Sequence, residues 1–245
     1  RTFLNDVGFS LERGSALGVI GESGSGKSSL ARALTLLMPP QRGSILFDAR
    51  EVSALSGAEL IAYRARVQLV FQDPMSALNP RRRVGQSIVR PVQALRRQQG
   101  GARLDALAAS LLERVGLSPS LAGRYPHELS GGQRQRVNIA RALSLEPEVL
   151  IADEVTSGLD VSAQARIVAL LESLRRETGL SLIFISHDLS LVRSLCDDLL
   201  ILRAGEVVES APADRVFAAP AHSYTRDLLA AIPLPDPEVG WLDRV

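Results

Sequence analysis

The stretch GVIGESGSGKSSLARAL, residues 18–34, constrains this chain more than any other. Gly21, Glu22, Ser23, Gly24, Ser25, Gly26, Lys27 and Ser28 match G-x-x-x-x-G-K-[ST] in full, and Ser29 continues into a helical pattern. The apolar run Ala16 to Ile20 before it reads as a strand, and Ser29 to Leu37 after it reads as a helix stopped by Pro39 and Pro40. A glycine loop between strand and helix points backbone N–H groups inward and attracts phosphate oxygens. Lys27 is the only lysine of the chain; every other side chain counted with it as basic is arginine. A compact ammonium on a flexible stem fits between two phosphates, where a planar guanidinium is too wide. The Ser28 hydroxyl is placed to reach Mg²⁺. The motif implies a nucleoside triphosphate site and does not say of which kind.

The rest of the chain supports an α/β fold. Val67 to Phe71, Val149 to Ala152 and Leu182 to Ile185 are continuous apolar runs, as a parallel sheet buried on both faces requires. Between the last two, Val161 to Thr178 carries Val161, Ala165, Val168 and Leu171 along one helical face, which makes a βαβ unit. From about residue 74 to 130 the strand signal lapses. There Leu104, Leu107, Ala108, Leu111, Leu112 and Val115 form an amphipathic helix, and Gln98 to Gly101 reads as an exposed connection. These patterns predict one nucleotide-binding domain of 245 residues. Its core is at about 1–73 and 131–208, with an inserted helical subdomain at about 74–130 and a short tail from about Glu209, where Pro233, Pro235 and Pro237 fall near the end.

Composition excludes several alternatives. A net charge of +1 gives no electrostatic footprint for nucleic acid. Cys196 is the sole cysteine, so a disulfide framework or a cysteine-ligated zinc or iron–sulfur site within the chain is excluded. No apolar run reaches the roughly 18 residues of a membrane span, and no signal peptide is visible. The sequence starts at Arg1 rather than Met, which points to a longer chain.

Further motifs name a family. Leu129, Ser130, Gly131, Gly132 and Gln133 (LSGGQ) precede a helical segment. Glu148 to Glu154 (EVLIADE) ends an apolar strand in two carboxylates, SGLD follows at 157–160, and ISHD at 185–188 closes the next strand. With Gln72 after Phe71, this set in this order resembles the ATP-binding cassette (ABC) ATPases over nearly the whole chain. The resemblance implies a P-loop, RecA-like core and two bound nucleotides between two domains packed head to tail. It implies Asp153 as a holder of Mg²⁺ through its water shell, together with Ser28 and Gln72. Glu154, on the other side of the strand, is the implied base for the attacking water, and His187 a donor to the γ-phosphate. Ser130 and Gly131 open a helix whose N–H groups would serve the partner's ATP rather than this chain's own, and Asp160 would lie at the dimer interface. His127 and His222 lack such support and read as structural or surface residues. Arg81 to Arg83 reads as a solvated charge run, or as contact with a membrane partner.

Two segments narrow the branch. FQDPMSALNP at 71–80, and a tail with HSYT at 222–225 and LLAAIPLPDP at 228–237, resemble the ATPases of dipeptide, oligopeptide and nickel importers. That implies an ATPase on the cytoplasmic face of the bacterial inner membrane. Its partners would be a second ATPase domain, paralogous or fused, two permease subunits and an extracytoplasmic solute-binding protein. The alternatives are a soluble assembly such as a carbon–phosphorus lyase complex, and a sensing module without turnover, against which Glu154 and His187 argue. Three departures stand out. Val155 replaces a usual proline, which predicts a looser turn. Gly158 replaces a common alanine, read as a minor change. The adenine-stacking aromatic is missing: Phe3 and Phe9 are the upstream candidates, and the expected residue lies before Arg1, as in the second half of a tandem ATPase.

Overall fold

A computed structural model describes residues 4–95 and 101–231. Phe3, most of the connection at Gln98 to Gly101 and the prolines after residue 231 fall outside the described residues.

The chain opens with β1 (Ala16–Ile20) and α1 (Lys27–Leu34), then a small hairpin of β2 (Leu46–Phe47) and β3 (Arg50–Glu51). α2 (Gly57–Arg66) leads into β4 (Val67–Val70). A helical stretch follows: α3 (Pro74–Ala77), α4 (Val84–Leu95), α5 (Ala102–Arg114) and α6 (Gly131–Leu143). The chain then alternates β5 (Val149–Asp153), α7 (Val161–Thr178), β6 (Ser181–Ile185), α8 (Leu189–Leu195) and β7 (Asp198–Arg203). It continues with β8 (Glu206–Pro212), α9 (Ala213–Ala218) and α10 (Ser223–Ala230).

Six strands form one sheet in the order β4-β5-β6-β1-β7-β8. The first five are parallel, and β8 closes the edge antiparallel to β7. Strand periodicity fills both faces. Leu150, Leu182 and Phe184 face the core shared with α6, α7 and α8, whereas Ile151, Ile183 and Ile185 face the core shared with α1 and α2. Phe184 is fully buried, and truncating it to alanine costs about 3–5 kcal/mol by the usual transfer and cavity terms. Among the described residues between β4 and α6 no strand interrupts the helices, and Ile88, Val92, Leu104 and Leu112 extend the α6 side of the core.

Some boundaries move. β4 ends at Val70, leaving Phe71 exposed beyond the sheet. α1 ends before Leu37, because Leu36 adopts a left-handed φ of 55°. β8 runs through Glu209, where patterning places the start of the tail: pairing of Ile201 with Glu209 keeps the chain in the sheet there.

Candidate active site

The C-terminal ends of four parallel strands deliver the chemistry, as open α/β sheets dictate. β1 runs into the glycine loop, β4 points toward Gln72, β5 ends in Asp153, and β6 is followed by Ser186 and His187.

Gly21 begins the loop because nothing larger fits. A Cβ there would collide with Leu202 O and lie 2.6 Å from Ser25 Oγ. Lys27 is buried, and its Nζ donates to Gly21 O at 2.6 Å and to Glu22 O at 2.8 Å. The ammonium thus sits inside the loop, tied to two of its carbonyls. Burial lowers its pKa, and the carboxylates of Glu154, Asp153 and Glu22 oppose that shift. Ser25 Oγ is buried without a hydrogen-bond partner.

Asp153 is only 6% exposed, and its Oδ1 also has no hydrogen-bond partner. Burial pushes its carboxyl pKa up, the Ser28 hydroxyl holds it down, and Glu154 pushes it up again. A buried carboxylate oxygen with a free lone pair beside a hydroxyl fits a divalent cation. Among the described residues no cluster of three acidic, His or Cys side chains could cage one, so the remaining ligands would be phosphate oxygens and water, the habit of Mg²⁺.

Glu154 departs from the sequence expectation in its cause. Strand alternation does not separate the two carboxylates, because β5 ends at Asp153 and Glu154 adopts a left-handed φ of 48°. Such a conformation is uncommon for a side-chain-bearing residue and persists where the surroundings enforce it. Here Glu154 N–H donates to Ile185 O at 2.9 Å, and Ser157 N–H donates to Glu154 O at 3.0 Å. Val155, expected to loosen this turn, is buried in the main core cluster. The Glu154 carboxylate accepts a hydrogen bond from Gln72 Nε2 at 2.6 Å, and His187 Nδ1 lies 4.0 Å from the same oxygen. Gln72, Glu154 and His187 are therefore brought together.

LSGGQ forms a separate site. Ser130 caps α6 through a reciprocal pair, with Gln133 N–H donating to Ser130 Oγ at 3.3 Å and Ser130 N–H donating to Gln133 Oε1 at 2.9 Å. Leu129 is buried and anchors the segment. Ser130, Gly131, Gly132 and Asp160 line one pocket of about 190 Å³ with Arg136 and Arg166, and no glycine-loop residue borders it. The two arginines escaped the sequence reading; their helical positions carry no motif. Asp160 caps α7, accepting Ala163 N–H at 2.8 Å. Gly158 is more than a minor change, since its φ of 71° lies in the left-handed region, where alanine is strained.

The remaining candidates have structural roles. His127 stacks on Tyr125, and His222 Nδ1 accepts Tyr224 N–H at 3.1 Å to cap α10. Phe9 is partly buried against the α1–α2 core.

A family profile described as ABC transporter matches residues 4–157. The chain belongs to the ABC transporter ATPase family. Its similarity to named members extends past that match. It is 50% identical to a probable peptide ABC transporter ATP-binding protein, y4tS, of Sinorhizobium fredii, over 98% of this chain and 68% of the relative. It is 48% identical to the glutathione import ATP-binding protein GsiA of Pectobacterium atrosepticum, over 98% of this chain but 38% of that longer protein. Among solved structures, the ATP-binding cassette MJ0796, a dimer bound to ADP and Pi, superposes with a TM-score of 0.78 at 29% identity, covering 86% of this chain and 90% of that one. The cbiO1 protein of Clostridium perfringens, part of the cbiONQ transporter complex, gives 0.79 at 30% identity, covering 94% and 89%. As an ABC ATPase, the chain binds ATP. Among the described residues no helix is long and apolar enough to cross a membrane.

Proposed function

We propose that this chain is the ATP-hydrolysing subunit of a bacterial importer of peptides or a related small solute. It would work at the cytoplasmic face of the inner membrane, with a second ATPase domain, two permease subunits and an extracytoplasmic solute-binding protein. The observation that carries the hydrolytic part is the hydrogen bond from Gln72 to Glu154, with His187 beside them, at the strand ends that also hold Lys27 and Asp153. The names of the y4tS and GsiA relatives support peptide-like cargo.

In this reading Lys27 keeps its bond to the Gly21 carbonyl, gives up the Glu22 carbonyl and turns its other two donors to β- and γ-phosphate oxygens. Ser28 and Asp153 hold Mg²⁺, which neutralises charge on the β- and γ-phosphates when bound. Glu154 accepts a proton from water as the water oxygen bonds to the γ-phosphorus. The bond to the β–γ bridging oxygen breaks, giving ADP and phosphate. His187 donates to the γ-phosphate oxygen, and Gln72 keeps the Glu154 carboxylate in place. Ser130 and Gly131 of each domain grip the γ-phosphate held by the other. Turning a mostly open pair into a mostly closed one needs about 10⁴-fold differential affinity, or about 5.5 kcal/mol, which that shared phosphate can supply.

A permease subunit would dock on a basic groove beside α4. A groove of about 480 Å³ between the sheet and α4 is lined by Arg64, Arg82, Arg90 and Arg141, with Phe71 and Leu95 between them and no carboxylate among the described residues. Arg141 is largely buried there, where burial lowers its pKa, and it donates to Ala77 O. Such a groove suits a short amphipathic helix with an acidic end. Its lining includes Phe71, the neighbour of Gln72, so seating of that helix would bear on the Gln72–Glu154 hydrogen bond.

Tagged full-length protein purified from native membranes in mild detergent tests the proposal. Recovery of two permease subunits and a solute-binding protein is expected. Recovery only from the soluble fraction, with metabolic enzymes and no permease, would replace transport by a soluble assembly.

A further inference from the structure

Tyr224 follows Glu22 by 202 residues, yet its hydroxyl accepts the Glu22 N–H at 3.1 Å. The tail is built to hold it there. The Glu209 carboxylate on β8 accepts Ala221 N–H at 2.9 Å and His222 N–H at 3.0 Å, which fixes the entry to α10. Tyr224 is 4% exposed, and the Arg203 guanidinium lies 4.8 Å from its ring centre. The turn between β7 and β8 adds a second hold on the glycine loop, with Gly205 N–H donating to Ser25 O at 2.9 Å.

The other side of the same peptide plane belongs to Lys27. The Gly21–Glu22 peptide is trans, so its N–H and C=O point in opposite directions. Its N–H goes to Tyr224, and its C=O accepts Lys27 Nζ at 2.6 Å. We infer that Tyr224 is a positioning residue for nucleotide binding, its hydroxyl setting the tilt of the peptide that anchors the phosphate-binding lysine. The inference rests on the reading of Lys27 as that lysine. It makes α10 part of the phosphate site: without the hydroxyl, Glu22 N–H loses its acceptor, the plane is free to turn, and Lys27 loses its fixed seat.

Tyr224→Phe isolates the hydroxyl, because the ring keeps its burial and its place under Arg203. Two readouts are needed. The first is the rate at which an amine-acylating reagent modifies Lys27 in nucleotide-free protein, followed by mass spectrometry of the peptide containing it. The second is the KM and kcat of ATP hydrolysis by the assembled ATPase. One neutral hydrogen bond corresponds to a change of about fivefold, so Lys27 acylation should be about fivefold faster and the KM for ATP about fivefold higher, with kcat within about twofold. An acylation rate and KM equal to the parent's would overturn the inference. So would a fall in kcat at unchanged KM, the mark of general destabilisation. The acylation arm needs no nucleotide. Faster labelling in a protein that hydrolyses no ATP would uphold the role of Tyr224 while removing the ATPase reading.

Discussion

Gln72 and Glu154, 82 positions apart in sequence, share a 2.6 Å hydrogen bond because β4 and β5 are neighbours in the sheet. Gln72 also stands where the chain leaves the sheet for α3 and the helices beyond, so in the proposed mechanism one side chain would join the hydrolytic carboxylate to those helices. Gln72→Ala should lower ATP turnover about tenfold or more, the range for a hydrogen bond to a charged group, with ATP affinity within about twofold. Steady-state turnover and equilibrium binding on one preparation check this. Unchanged turnover would show the bond to be incidental.

Burial of Asp153 sets its ionisation against stability. Its folded pKa is raised by burial above the ordinary 3.8, so the folded state holds the proton more tightly than the unfolded state. The resulting stabilisation is full below about 3.8 and is lost as pH rises through the folded value; at neutral pH the ionised carboxylate is a cost. Asp153→Asn should therefore raise Tm near pH 7 without metal, by about 2–4 °C for each kcal/mol recovered, and the gain should vanish at acidic pH. The same change should abolish Mg²⁺-dependent turnover. A lower Tm at neutral pH would show that the carboxylate is structurally satisfied.

Gly21→Ala places a methyl group against Leu202 O and Ser25 Oγ, of which the former is fixed backbone of β7. The loop must shift, and the Lys27 seat on Gly21 O with it. ATP binding should fall at least tenfold while far-UV circular dichroism stays native, since the collision is local. Parent-like affinity would mean that the loop has slack that these contacts do not reveal.

Ser130→Arg tests the signature site separately. The serine is an exposed N-cap, so its loss costs about 1 kcal/mol of stability. ATP binding to the single domain should be normal. ATP-dependent dimerisation, read by light scattering, should be lost together with turnover. A variant that still dimerises with ATP would place the partner's phosphate contact elsewhere.

The parallel core was legible because strands buried on both faces are continuous apolar runs, and Ala16 to Ile20 falls where patterning puts it. The helix Val161 to Thr178 also keeps its bounds, but of its predicted face Val161 and Ala165 are exposed while Val168 and Leu171 are buried beside Ala163, Ile167 and Leu174. The glycine loop was legible because its chemistry is local. Features set by distant contacts were not. The left-handed turn at Glu154 depends on Ile185, and the antiparallel edge at Glu209 on its pairing with Ile201. HSYT at 222–225 was visible as a subfamily marker, but nothing in its spacing says that Tyr224 meets Glu22. Gly158 looked like a neutral replacement because a backbone angle leaves no trace in composition.

The most direct test of the account is Glu154→Gln, measured for ATP binding and turnover in the same sample. The amide keeps the size of the carboxylate and cannot take the proton from water. ATP should bind with parent-like affinity and hold the dimer closed, while turnover falls about 10²- to 10⁴-fold. Near-normal hydrolysis would contradict the account, because the base would have to be another residue and the Gln72–Glu154–His187 cluster would not be the hydrolytic site.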